Sequence, residues 1–362
     1  MTSSSAVIEA VQQQLHRLSA NTHDWLDDYG PDAEILFAAA ESAMHGGKRM
    51  RARFCHSGWS AVMRRSAPHS PEPEALWRLC ASLEVFQAAA LVHDDLIDNS
   101  DTRRGRPSSH RALEGRHRAL GWAGDAAPFG RSAAILLGDL LLAWSDDLLE
   151  DALHGEETAA SVRGLYARMR RDVTVGQFLD ITEESAWSLT PDADHAERAL
   201  RIVSLKSARY SVEQPLLLGA ALAGADAVQR AALSAFGRPL GTAFQLRDDV
   251  LGVFGDPEVT GKPAGDDLRE GKRTLLVALT RTASPPGVRR AIDELLGDPD
   301  LDGEQVRFLQ ATMRESGALD RVEELISSAA QEAERALSGT PLDHASVSEL
   351  RELARAATVR TS

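Results

Sequence analysis

Apolar positions recur along this chain at the three- and four-residue spacing of helices, and strict apolar–polar alternation is nowhere sustained. The pattern predicts a ragged start over residues 1–20 that leads into a helix. A helix opened by Pro31 then runs to about Met44 and stops at Gly46-Gly47. Lys48-Arg49-Met50-Arg51 begins the next helix, and the prolines between Arg64 and Pro73 mark a loop. From Glu74 to Asp98 the pattern is a long helix, apolar all round near its end and therefore buried. A loop over Gly121–Gly130 precedes a second buried helix, Arg131 to about Asp151. Helices follow at roughly 157–183, 193–222 and 226–254, then a Gly/Pro/Asp-rich loop from Asp256 to Gly271, then three or four amphipathic helices. With no repeat and no long linker, residues 1–362 read as one all-α domain.

Composition narrows the function classes. The chain has 362 residues, 43% apolar, rich in Ala, Leu, Arg and Glu and poor in aromatics, which favours helices. A net charge of −14 argues against a nucleic-acid partner, but not against an anionic substrate whose charge metal ions offset. Two cysteines, Cys55 and Cys80, make neither a disulfide framework nor a metal cluster, which fits a cytoplasmic protein. Met1 to Ala10 lacks signal-peptide character. No integral membrane segment is expected: the best apolar run, Ile135 to Trp144, is interrupted by Gly138-Asp139.

Seven acidic pairs occur, and in so acidic a chain most belong to solvated faces. Two stand out by context. Asp94, Asp95 and Asp98 end the apolar run Val85–Val92, and at about 100° per residue the three carboxylates crowd one helix face. Asp248-Asp249 likewise sits between apolar residues. Carboxylates at the mouth of a buried helix are costly unless paired or metal-bound. A hard divalent ion suits them, and Arg103-Arg104-Gly105-Arg106 suits phosphate. Asp146-Asp147 with Glu150 repeats the spacing but lacks basic neighbours in sequence, and reads as a solvated face. Lys48, Arg51, Lys206, Lys262 and Lys272 are each weak singly, but together they supply isolated cations around two acidic helix ends.

In order and spacing these features resemble the trans-isoprenyl diphosphate synthases, the polyprenyl synthetase family, over about Gly46 to Thr274. Gly46-Gly47-Lys48-Arg49-x-Arg51 looks like the homoallylic diphosphate motif. Asp94-Asp95-Leu96-Ile97-Asp98 with Arg103-Arg104-Gly105 resembles the first aspartate-rich motif. Gly138-Asp139 and Gly176-Gln177-x-x-Asp180 match minor signatures, and Lys206-Ser207 stands where Lys-Thr is usual. Phe244-Gln245-x-x-Asp248-Asp249 resembles the second aspartate-rich motif, followed by Gly255-Asp256 and Gly261-Lys262. That motif usually ends in a third aspartate, and here the position is Gly252.

The resemblance implies an isoprenoid-synthase helical bundle around a central substrate cavity, and a homodimer. It implies an allylic diphosphate bound through Mg²⁺, typically three ions (Mn²⁺ as an alternative), on Asp94, Asp98 and Asp248, with Asp95 and Asp249 supporting. Arg103, Lys206 and Lys262 hold the same diphosphate, with Lys272 a further substrate-binding residue; Lys48, Arg51, Gln87 and Arg104 hold isopentenyl diphosphate; Gln245 and Ser207 favour the allylic cation by their dipoles. Bulky residues four or five positions before the first aspartate cap the product tunnel in this family. Here those positions are Ala90 and Ala89, and Phe86, one turn deeper, suggests a C20 (geranylgeranyl) product. The alternatives are a farnesyl or C25-and-longer product, a class I terpene cyclase, and a non-catalytic partner subunit, the last kept open by Gly252.

Overall fold

The structure of the protein, a computed structural model, describes residues 3–67, 72–255 and 265–358. Helices account for nearly all of them, and the fold is an all-α bundle. In chain order these are α1 (Ser3–Tyr29), α2 (Ala33–Met44), α3 (Met50–Ser66), α4 (Glu74–Ile97), α5 (Ser109–Ala119), α6 (Ala126–Leu153) and α7 (Ala159–Ala186), then α8 (His195–Ile202), α9 (Gln214–Leu222) and α10 (Ala227–Phe254). The remainder forms five helices rather than three or four: Leu275–Ala283, Pro286–Leu295, Gly303–Glu315, Ala318–Ala336 and His344–Thr358. A short helix at Asp266–Arg269 interrupts the predicted Asp256–Gly271 loop.

The spine is α4. Leu76, Leu79 and Leu83 recur at helical spacing, are fully buried, and contribute roughly 1.5–3 kcal/mol each by leaving water. The helix packs along α6 and against α1, α2 and α3. Its apolar neighbours form one core cluster. A second surrounds the end of α10 with the helices from Leu275 onward, and a third joins α3, α9 and the start of α10 to the C-terminal helix. The aspartate-bearing ends of α4 and α10 therefore come from different clusters.

Several boundaries differ from the sequence reading. Residues 1–20 are not ragged where described: α1 begins at Ser3 and buries Val7, Val11, Leu15 and Leu18. The Gly121–Gly130 loop ends early because the Asp125 side chain accepts a hydrogen bond from Ala127 N (3.0 Å) and caps α6. α6 runs unbroken through Gly138-Asp139, so it and α4 are both long and apolar enough to cross a membrane by length and composition alone. In α4 about two-thirds of that apolar window is instead buried inside the bundle.

The stretch 193–222 is not one ordinary helix. Between α8 and α9, residues Val203–Glu213 form a π-helix, a form concentrated at functional sites. Pro215, just past its end, has no N–H to continue an α pattern. Gly176 of α7 and Gly241 of α10 let this backbone in: a Cβ on Gly176 would lie 2.4 Å from Lys206 N, and one on Gly241 2.3 Å from Ala208 O. Asn99–Pro107 contains a two-stranded hairpin, β1 (Thr102–Arg103) with β2 (Arg106–Pro107), turned by Arg104 and Gly105 at φ 54° and 72°.

Candidate active site

At the end of α4 the three aspartates diverge rather than sharing one face. Asp95 turns inward, almost fully buried, and accepts from Arg103 Nε at 2.8 Å and from Arg103 Nη2. Asp94 and Asp98 face a second set of cations. Lys206 Nζ lies 3.3 Å from Asp94 Oδ1 and 2.5 Å from Asp180 Oδ2. Lys272 Nζ lies 3.7 Å from Asp98 Oδ2, 3.5 Å from Asp267 Oδ1 and 2.6 Å from Glu270 Oε2. Asp180, from Gly176-Gln177-x-x-Asp180, thus anchors the lysine that the π-helix carries in. Ser207 follows Lys206 in that π-helix, partly buried.

The two aspartates titrate differently. At Asp94 burial opposes ionisation, but Lys206, Lys272 and Arg103 outweigh it and hold the group below the usual carboxylate range. At Asp98 burial dominates, the charge on Asp94 adds to it, and the group is pushed up to about 7. Lys206 is held above the ordinary lysine range because Asp94 and Asp180 overcome its burial.

The hairpin splits the arginines between two places. Arg103 points to the aspartates, while Arg104 Nη1 donates to His45 O (3.0 Å) across the chain. There Arg104 joins Lys48, Arg51 and Gln87 around a cavity of about 90 Å³. Arg51 Nη2 donates to Ser211 Oγ (2.7 Å), its guanidinium stacks 4.1 Å over the Tyr210 ring, and Tyr210 Oη donates to Gln87 Oε1 (2.6 Å). Gly47 has to be glycine: its φ is 90°, and a Cβ would lie 2.9 Å from Arg104 Nη2. Arg49, part of the same motif, also lines this cavity, as do Glu84 and Ser211, which no sequence motif marks. Gln87 precedes Asp94 by two helical turns, so both occupy one side of α4.

The second acidic wall is α10. Asp249 is buried, accepts from Gln245 Nε2 (2.8 Å), and is pushed up to about 7 by burial, with Asp267 and Asp248 adding like charge. Asp248 is partly exposed beside it. Where a third aspartate would stand, a Cβ on Gly252 would lie 1.9 Å from Oδ2 and 2.4 Å from Cγ of Asp267. The Asp267 carboxylate occupies the space that Gly252 leaves. In sequence Asp266-Asp267 is one of the seven acidic pairs, with nothing to mark it; Asp267 follows Gly252 by fifteen residues, and no local pattern joins them. Lys262 and Asp256 lie outside the described residues. Asp146, read as solvated, pairs with Arg170, and Glu150 with Arg163 (2.6 Å), partners that are remote in sequence.

Beneath these walls, Phe86 is buried edge-on against Tyr166 (centroids 6.2 Å apart) and Tyr210 (5.6 Å). Ala89 is fully buried and Ala90 partly so. Among the described residues no three carboxylate, imidazole or thiolate groups converge closely enough to hold a metal by themselves. Asp94, Asp98 and Asp248 still fit a hard cation that draws its remaining ligands from phosphate and water, because the donors are all carboxylate oxygens and the cations around Asp94 hold it ionised.

The chain matches the family model "Polyprenyl synthetase" over residues 33–313. It is 33% identical over 278 residues to the geranylfarnesyl diphosphate synthase of Aeropyrum pernix, covering 76% of this chain and 79% of that one. It is 36% identical over 213 residues to the (2E,6E)-farnesyl diphosphate synthase of Mycobacterium tuberculosis, covering 59% of this chain and 51% of that one. In structure it is similar to a geranylgeranyl pyrophosphate synthase from Corynebacterium glutamicum, complexed with isoprenyl diphosphate and magnesium, with a TM-score of 0.92, 38% identity and 98% of both chains covered. Paired aspartate-bearing helix ends, flanking cations and a separate basic cavity thus occur in a chain that belongs to the polyprenyl synthetase family, prenyltransferases that elongate a prenyl diphosphate head to tail.

Proposed function

We propose that this chain condenses isopentenyl diphosphate with an allylic diphosphate in a Mg²⁺-dependent reaction whose product is geranylgeranyl diphosphate. The observation that carries the reading is the second basic cavity. Lys48, Arg51 and Arg104 meet there, with Gln87 linking it along α4 to Asp94. A cyclase, which binds one diphosphate, has no use for it.

Asp94, Asp98 and Asp248 would hold Mg²⁺, three ions by family resemblance, with Asp95 and Asp249 in support. Bound there, Mg²⁺ (or Mn²⁺) supplies the positive charge that stabilises departing pyrophosphate. Arg103, Lys206, Lys262 and Lys272 bind the same diphosphate and favour ionisation of the allylic C–O bond. Asp180 and Asp267 keep Lys206 and Lys272 aimed. Lys48, Arg51, Gln87 and Arg104 hold isopentenyl diphosphate so that its double bond faces the new cation, which the dipoles of Gln245 and Ser207 favour. The C–C bond forms, and the proton lost from the adduct passes to the released pyrophosphate, so no side-chain base is required.

Ala89 and Ala90 leave the tunnel open past a farnesyl chain, and Phe86, braced by Tyr166 and Tyr210, forms its floor. This supports C20 over a shorter product. The whole chain acts as one catalytic domain in a homodimer, and the two buried, unpaired cysteines suit a cytoplasmic setting. Product analysis with isopentenyl diphosphate and each allylic primer in turn tests the proposal. Geranylgeranyl diphosphate, formed only with isopentenyl diphosphate, is expected. Hydrocarbon released from allylic diphosphate alone, or no turnover with any primer, overturns it.

A further inference from the structure

We propose a second anion site, for a phosphate or diphosphate group, in a separate cavity of the bundle. A cavity of about 260 Å³ opens between α7, the π-helix with α9, and the start of α10. Arg168, Arg209, Arg230 and Arg238 line it. Arg168 precedes Asp180 by twelve residues on α7, about 18 Å along the helix, and this cavity shares no lining residue with the first, although Arg209 and Glu213 stand on the same π-helix as Lys206 and Ser211.

The charges there do not balance. Arg238 Nε donates to Glu213 Oε1 (2.6 Å), which also accepts from Ser234 Oγ (2.6 Å). Arg209 Nη1 reaches Asp172 (3.3 Å), and Arg168 Nε lies 3.9 Å from the same carboxylate. Arg230 Nη1 donates to the Ala225 carbonyl. Among the described residues three of the four guanidiniums thus share two carboxylates and the fourth is held by a neutral oxygen, a positive pocket on a chain of net charge −14. Polar atoms are also left over. Arg209 Nε, Glu213 Oε2 and Gln214 Oε1 are buried with no hydrogen-bond partner, and the Glu213 and Gln214 residues are only 1% and 4% exposed. Buried polar atoms without partners are uncommon and costly. A protonated phosphate satisfies both kinds: its oxygens accept from the arginines, and its P–OH donates to Gln214 Oε1 or Glu213 Oε2. The leucines in the wall, Leu165 and Leu217, leave room for an apolar substituent.

The test titrates the full chain with inorganic pyrophosphate by calorimetry, in chelator so that no metal bridges the anion to the aspartates. Two classes of site are expected. Arg104→Ala removes one; Arg168→Ala and Arg230→Ala each weaken the other about tenfold or more. Turnover of Arg168→Ala at saturating substrate stays within about twofold, as befits a remote site. Ala231→Phe, which fills the cavity, abolishes the second class. Repeating the titration with geranylgeranyl diphosphate separates the sources. Tighter binding than pyrophosphate assigns the site to a prenyl-bearing ligand, and equal binding assigns it to the phosphate group alone. A single class that Arg104→Ala removes, or two classes that both arginine variants leave unchanged, overturns the proposal.

Discussion

Gly252→Asp restores the third aspartate common in this family, and the structure predicts that it impairs the enzyme. The new Cβ would stand 1.9 Å from Asp267 Oδ2, where ordinary contact begins near 3.4 Å. Asp267 has to withdraw by more than an ångström, away from its place 3.5 Å from Lys272. Overpacking of this kind costs about 1–3 kcal/mol. Charge adds to the cost: two carboxylates about 4 Å apart repel by as much as roughly 4 kcal/mol at an effective dielectric of 20, unless one takes a proton. Asp249, already pushed up to about 7, stands beside them. We expect kcat/KM to fall about ten- to hundredfold, about 1.4–2.8 kcal/mol in transition-state stabilisation, with a higher Mg²⁺ requirement. Asp267→Ala alone costs about tenfold, because the acidic wall then loses the carboxylate that Asp267 brings to the space beside Gly252. The double variant, with space cleared and the carboxylate relocated, recovers to within about threefold of wild type. Steady-state assays over a Mg²⁺ series for the four proteins complete a double-mutant cycle. Activity of Gly252→Asp at or above wild type, or strictly additive effects in the double variant, refutes the idea that Asp267 fills the third position.

Further outcomes follow from the same geometry. Phe86→Ala removes the ring braced by Tyr166 and Tyr210 and lengthens the product beyond C20; unchanged chain length on chromatography defeats the ruler argument. Binding of Mg²⁺ and diphosphate weakens as pH falls below about 7, because the raised groups Asp98 and Asp249 take up protons there that the cation has to displace; a flat affinity between pH 6 and 8, roughly the window that brackets both, contradicts this. For stability the sign is opposite: ionising these two groups costs more in the folded state than in the unfolded one, so in the metal-free protein their contribution to stability is lost as pH rises from about 4 to 7, and Asp98→Asn flattens that part of the pH profile of denaturant unfolding. Gly176→Ala drives a Cβ to 2.4 Å from Lys206 N and lowers stability by about 1–3 kcal/mol in denaturant unfolding, with Lys206 displaced; a variant of wild-type midpoint and activity contradicts the wedge.

The helical class, the approximate helix ends and the order of the acidic and basic motifs were legible in the sequence, because apolar periodicity and caps act within about four residues. The apolar runs before Asp94 and Asp248, together with the basic residues near them in the chain, already marked those pairs as candidates, whereas Asp146-Asp147 follows an apolar run but lacks basic neighbours. What the sequence alone left undecided depends on residues distant along the chain. The Arg104-Gly105 turn sends Arg103 to Asp95 and Arg104 toward His45, so a run that reads as one basic loop serves two places. The π-helix bearing Lys206 owes its position to its backbone's close approach to Gly176 on one helix and Gly241 on another, which local helix propensity does not record. Gly252, read alone, is a missing ligand; only the tertiary structure brings Asp267 into its space. A carboxylate's environment is set by whatever packs against it, and in this chain those partners are supplied by other helices.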